Sequence, residues 1–358
     1  MKIEKLMKLS LLFFFFVTAA SAQNAEELLL KNFRPVSIFN VPVTHVQRAA
    51  YPVIDAHSHD YARDDKQIVQ WVEYMDACGI EKTIILTSAT GAEFDSINKK
   101  YKPYSNRFEI WCGFDYTGYD KPGYGPAAVK ELERCYKMGA RGVGELGDKG
   151  LGMFFCQPQA WGMHPDDKRM KPLYEKCAEL KMPINIHVAD PVWMYEKMDS
   201  TNDGLMNAEI WKIDMTKQGI LGLEALVKAL ENALRDNPKT TFIATHFANL
   251  NHDMDKLGTL LDKYPNFYAD IAARYAESAP IPRYMKDFYE KYQDRLLYGT
   301  DMGIDSAMYT ITFSILESND EHFYETELFG YHWAMNGFGL SKDILKKVYR
   351  DNALKLFK

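Results

Sequence analysis

The sequence is poor in cysteine, and what it has forms no framework. Five cysteines occur in 358 residues: Cys78, Cys112, Cys135, Cys156 and Cys177. The count is odd and no Cys-x-x-Cys pair is present. They fall mostly in helix- and strand-like stretches, where cysteine behaves as a small apolar residue. A chain of this length builds its own core and needs no disulfide lattice. One bridge stays open in an oxidising compartment, and no local motif supports a cysteine nucleophile. Basic stretches are also missing. With 43 Lys and Arg against 49 Asp and Glu, the net charge is -6 and no basic stripe is visible, so nucleic acid is not an expected partner. There is no internal repeat and no low-complexity linker, so one domain is expected.

Only one long apolar run exists, and it is N-terminal. Lys2, Lys5 and Lys8 precede the run from Leu9 to Ala20, and Ala20-Ser21-Ala22 follows as a small-residue cleavage pattern. This is the layout of a secretory leader covering residues 1–22. The run is too short for a membrane anchor, and no cysteine at the junction marks a lipid anchor. The expectation is an exported protein, cleaved near Ala22 and periplasmic or secreted, with no membrane anchor afterwards. Residues 23–50, with Pro35 and Pro42, read as an extension lying against the domain that spans 51–358.

Short apolar runs then alternate with helical patterns. Eight strand-like runs cover 53–57, 82–86, 108–113, 140–145, 182–187, 241–246, 267–271 and 295–301. Helices are expected over about 66–78, 127–138 and 171–180, and helical stretches also separate the later runs. Strict alternation implies a parallel sheet, and eight units in this length imply closure into a (β/α)8 TIM barrel. An open doubly wound sheet is the alternative. It lacks the Gly-rich phosphate loop expected after its first strand.

The ionisable residues gather at the C-terminal ends of these runs. Run one ends in His57-Ser58-His59, and two residues at i and i+2 on a strand share a face. Run four ends in Glu145, run five in His187, run six in His246 and run eight in Asp301. The chain has only nine histidines, and four of them stand at three strand ends. Any one of them alone is ordinary. Together they lie at the face where this fold carries its active sites, and imidazole with carboxylate suits Zn²⁺, Mn²⁺ or Fe²⁺. Zn²⁺ is the first expectation.

The pattern resembles the amidohydrolase superfamily, in its amidohydrolase family 2 branch, which includes the aminocarboxymuconate semialdehyde decarboxylase-like group. The matching segments are Asp55-Ala56-His57-Ser58-His59, Pro183-Ile184-Asn185-Ile186-His187, Thr245-His246, Tyr298-Gly299-Thr300-Asp301 and the closing Asp351-Asn352-Ala353-Leu354-Lys355-Leu356-Phe357. The resemblance implies that His57, His59 and His187 bind metal and that Asp301 is both a neighbour of the ion and the general base. It makes His246 a second-metal ligand or a polarising group. A divalent ion acidifies water and polarises a carbonyl, and a nearby carboxylate can move the proton. One ion or two are both open. Gly144-Glu145-Leu146-Gly147 resembles the TatD-like deoxyribonucleases, so Glu145 is either a ligand or a buried, salt-bridged neighbour.

Long loops after runs four and five are expected to define a small-molecule substrate. They carry Trp161 and His164, then Trp193, Tyr195 and Trp211. Trp161, Trp193 and Tyr195 either face a substrate ring or pack the loops on the barrel. Arg274 either clamps a substrate anion or pairs with Asp270 or another acid. No role is assigned to His252, His322 or His332. The leading expectation is hydrolysis of a C–O or C–N bond, in a lactone, ester or amide of a carbohydrate-derived or aromatic acid. Non-oxidative decarboxylation is the alternative. A phosphoesterase or a binding protein on a decayed barrel ranks lower, and the composition admits a homo-oligomer.

Overall fold

The computed structural model describes residues 25–357. The leader expected over 1–22 lies outside the described residues. Residues up to Arg34 cluster as one unit, in which a single 3-10 turn, Leu30–Asn32, is present among the described residues. The second unit runs from Pro35 and holds everything that follows. Its first segment, up to residue 50, has no regular element. That segment is fastened by Thr44 N and Oγ1 donating to Asp320, by Ala49 N to Cys78 O, and by Ala50 N to Glu317.

All eight expected runs contain strands. They are β1 Val53–Ser58, β2 Ile80–Leu86, β3 Phe108–Trp111, β4 Val143–Asp148, β7 Ile184–Val188, β8 Phe242–Ala244, β9 Phe267–Asp270 and β10 Leu296–Leu297. Two further short strands, β5 Gly152–Met153 and β6 Ala160–Trp161, pair antiparallel as a hairpin added to β4. Every pairing between the eight main strands is parallel. The ladders fall into β1-β2-β3 and β10-β9-β8-β7-β4, and backbone bonds join the two sets at both edges. Cys112 N donates to Gly142 O and Gly144 N to Cys112 O on one side; Ala56 N donates to Tyr298 O on the other. Ile84, Trp111, Ile243 and Leu297 meet in one buried cluster. They come from both ladders, β2 and β3 on one side and β8 and β10 on the other, so they pack across the interior of a ring. The fold is a (β/α)8 barrel.

The helices follow the expected periods. α1 Asp65–Cys78 is capped by Asp64, whose carboxylate accepts from Gln67 N, and α3 Pro126–Met138 and α4 Lys171–Leu180 begin with proline in the first turn. α6 Leu223–Asp236 buries Leu223, Leu226, Val227, Leu230, Ala233 and Leu234, the apolar stripe of a helix covering a sheet. No helix among the described residues is long and apolar enough to cross a membrane.

Candidate metal centre

The strand ends bring His57, His59, Glu145, His187, His246 and Asp301 together at the barrel mouth. The His57 and His59 rings lie 5.3 Å apart and the His57 and His246 rings 5.0 Å apart. Three of the four imidazoles are held in the same way, each engaging an outer oxygen through Nδ1. His57 Nδ1 lies 2.8 Å from Asp270 Oδ2, His59 Nδ1 2.8 Å from Leu86 O, and His246 Nδ1 2.9 Å from Ala272 O. A proton on Nδ1 leaves Nε2 as the free lone pair, which is how metal-binding histidines are oriented.

Those three Nε2 atoms converge on two carboxylates. His59 Nε2 is 3.1 Å from Asp301 Oδ1 and 3.4 Å from Glu145 Oε2. His57 Nε2 is 3.7 and 3.9 Å from the same oxygens. His246 Nε2 is 3.5 Å from Asp301 Oδ2 and 3.8 Å from Glu145 Oε1. His57 Nε2 is buried and has no hydrogen-bond partner. A buried, aimed imidazole lone pair among ionised carboxylates fits a divalent cation. Donor atoms group as His57, His59 and Asp301, and as Glu145, His187 and His246. A third grouping uses Asp270. Asp270 is fully buried, and its oxygens already take His57 Nδ1, Asn185 Nδ2, His246 N and Ala272 N. It thereby fixes the His57 ring and the His246 backbone.

His187 is held differently. Its Nδ1 is 2.7 Å from Glu145 Oε1, and its Nε2 lies 2.8 Å from Ala189 O. Burial opposes its charge, but Glu145 and Asp190 raise its pKa. Burial likewise works against the Glu145 carboxylate, and the surrounding imidazoles, His187 first, drive it well below the usual range. The same contest holds Asp301 low, with His57 and His59 the leading partners. His57 is pushed up to about 9 by Asp270 and Asp301 in spite of its burial. His246 is pushed well down, by burial and then by the Arg274 charge.

Backbone shape helps to place these groups. His246 and Asp301 adopt left-handed φ of 57° and 55° just beyond β8 and β10. His246 N is held by Asp270 Oδ1 and Asp301 N by His57 O. Gly299 is needed for close approach, because a Cβ there would lie 2.7 Å from His57 Cβ.

The open edge of the cluster is His59 and Asp301, whose side chains are 28% and 22% exposed while His57 is fully enclosed. They face a cavity of about 430 Å³ that Lys149, Phe155 and Trp211 also line. The aromatic walls named by this cavity are thus Phe155 and Trp211. Trp193 instead packs against Gly204, and Tyr195 Oη accepts from Asp190 N, both inside the loop. Trp161 borders a neighbouring cleft. Arg274 is buried and does not pair with Asp270. It donates to Asn249 and lies 3.3 Å from Glu277. Three contributors were not read from the sequence as site residues: Asp270, Tyr61, which donates to Asp301, and Asp190, 3.6 Å from His187. Tyr61 continues the His57, His59 alternation and Asp270 ends its own strand, so both carried a signal.

The sequence profile described as Amidohydrolase matches residues 117–358. The chain belongs to the amidohydrolase family, and it is a metal-dependent enzyme of that superfamily. No curated protein matches it. Among solved structures it is similar to 2,6-dihydroxybenzoate decarboxylase from Rhizobium (15% identity, 86% of this chain and 98% of that one, TM-score 0.53). It is also similar to a dihydroxybenzoic acid decarboxylase from Polaromonas with bound manganese and 2-nitroresorcinol (16%, 86% and 97%, 0.54). A third is 4-oxalomesaconate hydratase from Rhodopseudomonas palustris (15%, 85% and 95%, 0.50). At these identities the likeness shows the fold.

Proposed function

We propose that this chain is a non-oxidative decarboxylase of small aromatic or unsaturated carboxylic acids, that it works with one divalent ion, and that it acts outside the cytoplasm. The carrying observation is the cavity: the His59 and Asp301 edge opens into a space that Phe155 and Trp211 also line, with Lys149 as its lysine. Aromatic walls select a ring, and a lysine beside them selects an anion. The size falls within the range of small-molecule sites. The likeness to decarboxylases of hydroxybenzoic acids supports the reading. The leader-like N-terminus supports export.

The ion would be held by His57, His59 and Asp301, with Glu145 beside them, and when bound it supplies positive charge to an anionic substrate oxygen. In the reaction the bond from ring carbon to carboxylate breaks. Its electron pair stays on the carbon, CO₂ leaves, and the carbon takes one proton. The proton comes from solvent water, and Asp301 and His246 are the groups placed to relay it, with Asp301 Oδ2 and His246 Nε2 3.5 Å apart. Tyr61 donates to Asp301 Oδ1 and fixes which oxygen is left for the exchange. His187 and Glu145 also line the cavity, His187 Nδ1 lying 2.7 Å from Glu145 Oε1.

The second reading is hydrolysis of a lactone, ester or amide. It is favoured by Asp301 being ionised and partly open to the cavity, where a carboxylate can take a proton from water. The experiment is to load the purified protein with Mn²⁺ or Zn²⁺, count bound ions, and incubate it with hydroxybenzoates, unsaturated diacids, lactones and amides. CO₂ release from an aromatic or unsaturated acid at one ion per chain is the expected result. Hydrolysis products without CO₂ would overturn it in favour of the second reading.

A further inference from the structure

We propose that the cleft beside the metal cavity is a second subsite, which holds a distal anionic group of an elongated aromatic substrate. The proposal rests on the aromatic-acid reading above and extends it. The cleft lies between the loop after β4, which gives Phe154 and Trp161, and the segment after α5 (Leu205–Trp211), which gives Lys212, Lys217 and Ile220. Lys149 stands at the junction and lines both spaces. Successive residues face the two sides. Phe155 lines the metal cavity and Phe154 the cleft, with rings 4.1 Å apart; Trp211 lines the cavity and Lys212 the cleft. A ligand too long for the cavity reaches the cleft by passing Lys149.

The cleft is built rather than incidental. Leu221 N donates to Gly150 O at 2.9 Å and ties its two walls together. Gly150 has a φ of +114°, and a Cβ there would lie 2.4 Å from Leu221 O, so only glycine allows this approach. The volume is about 220 Å³. An engineered cavity of about 150 Å³ already accommodates benzene, so there is room for a ring and a small polar group.

Its charge selects an anion. Lys149, Lys212 and Lys217 face it with a single acid, Asp214. The Asp214 Oδ1 atom is already taken by Thr216 N and Oγ1. Lys149 is shared with Asp190 at 2.9 Å, and Lys212 meets Glu209 at 2.9 Å in a pair that solvent screens on both sides. Lys217 makes no ion pair within 4 Å among the described residues, and its charge acts on Asp214 from further off. Trp161 is 52% exposed at the rim and gives a stacking face and a fluorescent reporter.

The test uses the full, metal-loaded protein and two probes of equal length, biphenyl-4,4′-dicarboxylate and its monoamide, the monoacid 4′-carbamoylbiphenyl-4-carboxylate. They differ only in the distal charge. Affinities are read by calorimetry and by Trp161 fluorescence, with Trp161→Phe as the control for the signal. The diacid should bind roughly tenfold more tightly than the monoacid, the scale of a charge-assisted hydrogen bond. The advantage should vanish in the Lys212→Ala, Lys217→Ala double variant, while 2,6-dihydroxybenzoate, which fits within the cavity, binds both forms equally. Equal affinity for the two probes, or an advantage that survives the double variant, would overturn the subsite and leave the aromatic-acid reading intact. If the diacid advantage and its loss appear but 2,6-dihydroxybenzoate does not bind, the subsite stands and the aromatic-acid reading falls.

Discussion

Replacing Asp270 with asparagine should weaken metal binding without unfolding the protein. All four partners of this carboxylate are donors: His57 Nδ1, Asn185 Nδ2, His246 N and Ala272 N. An amide has one oxygen and one NH₂, so it cannot accept at both positions. Turning the NH₂ toward His246 N and Ala272 N would set it against two fixed backbone donors. The oxygen therefore stays there, and the NH₂ faces His57 and Asn185. Asn185 can answer by turning its amide over, since its Oδ1 is buried and has no partner. His57 can answer only by moving its proton from Nδ1 to Nε2, the atom aimed at the metal donors.

The cost thus falls on metal affinity. Losing the outer partner of a ligating histidine lowers affinity by roughly 10- to 100-fold, which is about 1.4–2.7 kcal/mol. Competition with a chelator measures it, and a melting curve of the metal-free protein checks the fold. Asp270→Ala should behave differently. It leaves buried donors unpaired at roughly 1–3 kcal/mol each, so its melting temperature should fall as well. An Asp270→Asn protein that is folded and binds metal as tightly as the parent would refute the reasoning, because the proton on His57 would then not depend on Asp270.

Three further outcomes are expected. Gly299→Ala should lower stability by about 1–3 kcal/mol and weaken metal binding together, because its Cβ would fall 2.7 Å from His57 Cβ; a denaturant midpoint equal to the parent's would contradict this. Glu145→Gln should keep one ion per chain in elemental analysis while turnover falls roughly 10- to 100-fold, since His187 loses the carboxylate that holds it; a drop from two ions to one would instead make Glu145 a bridging ligand. His164 has its pKa raised, first by the hydrogen bond to Asp148. A raised folded-state value adds stability that is complete below the unfolded pKa near ~6.5 and is lost as pH rises through the folded one. The melting-temperature gap between the parent and His164→Gln should therefore shrink from pH 6 to pH 9, and a gap that widens would reverse the assignment.

The barrel was legible because of how it is buried. Parallel strands covered on both faces read as short apolar runs, and the polar residue ending each run marks the mouth. The run over 295–301 held less strand than expected: β10 covers only Leu296–Leu297, and Thr300 and Asp301 turn to bond His57 O. The β5–β6 hairpin was invisible, since two-residue strands carry no period. Of the site, the inward-facing groups were legible and their supports were not. His57, His59, His246 and Asp301 are unusual residues at telling positions. Leu86 O and Ala272 O, which fix two of those rings, are backbone atoms with no signature in any sequence. Trp211 and Phe155 could not be told from Trp193 and Tyr195, because only the fold of the loops decides which ring reaches the cavity.

The strand ends themselves break a local rule. Ser88, Ala189, His246, Ala273 and Asp301 all take left-handed φ between 51° and 61°, and each stands just past the end of a barrel strand. Such a conformation costs a non-glycine residue roughly 1–2 kcal/mol. Glycine would relieve the strain at each position, but glycine has no side chain to contribute. His246 and Asp301 need theirs as donors, and Ser88 uses its hydroxyl to hold Glu145 O. Ala189 turns its carbonyl to His187 Nε2, and the neighbour of Ala273, Ala272, turns its own to His246 Nδ1. The strain is therefore concentrated where the chain must leave the sheet and still aim a group at the ion. The hydrogen bonds that hold these turns, His246 N to Asp270 and Asp301 N to His57 O, are the same ones that set the ligand geometry. Backbone tension and metal-site shape are one arrangement, which is why substitutions at Asp270 and Gly299 should reach the ion without touching it.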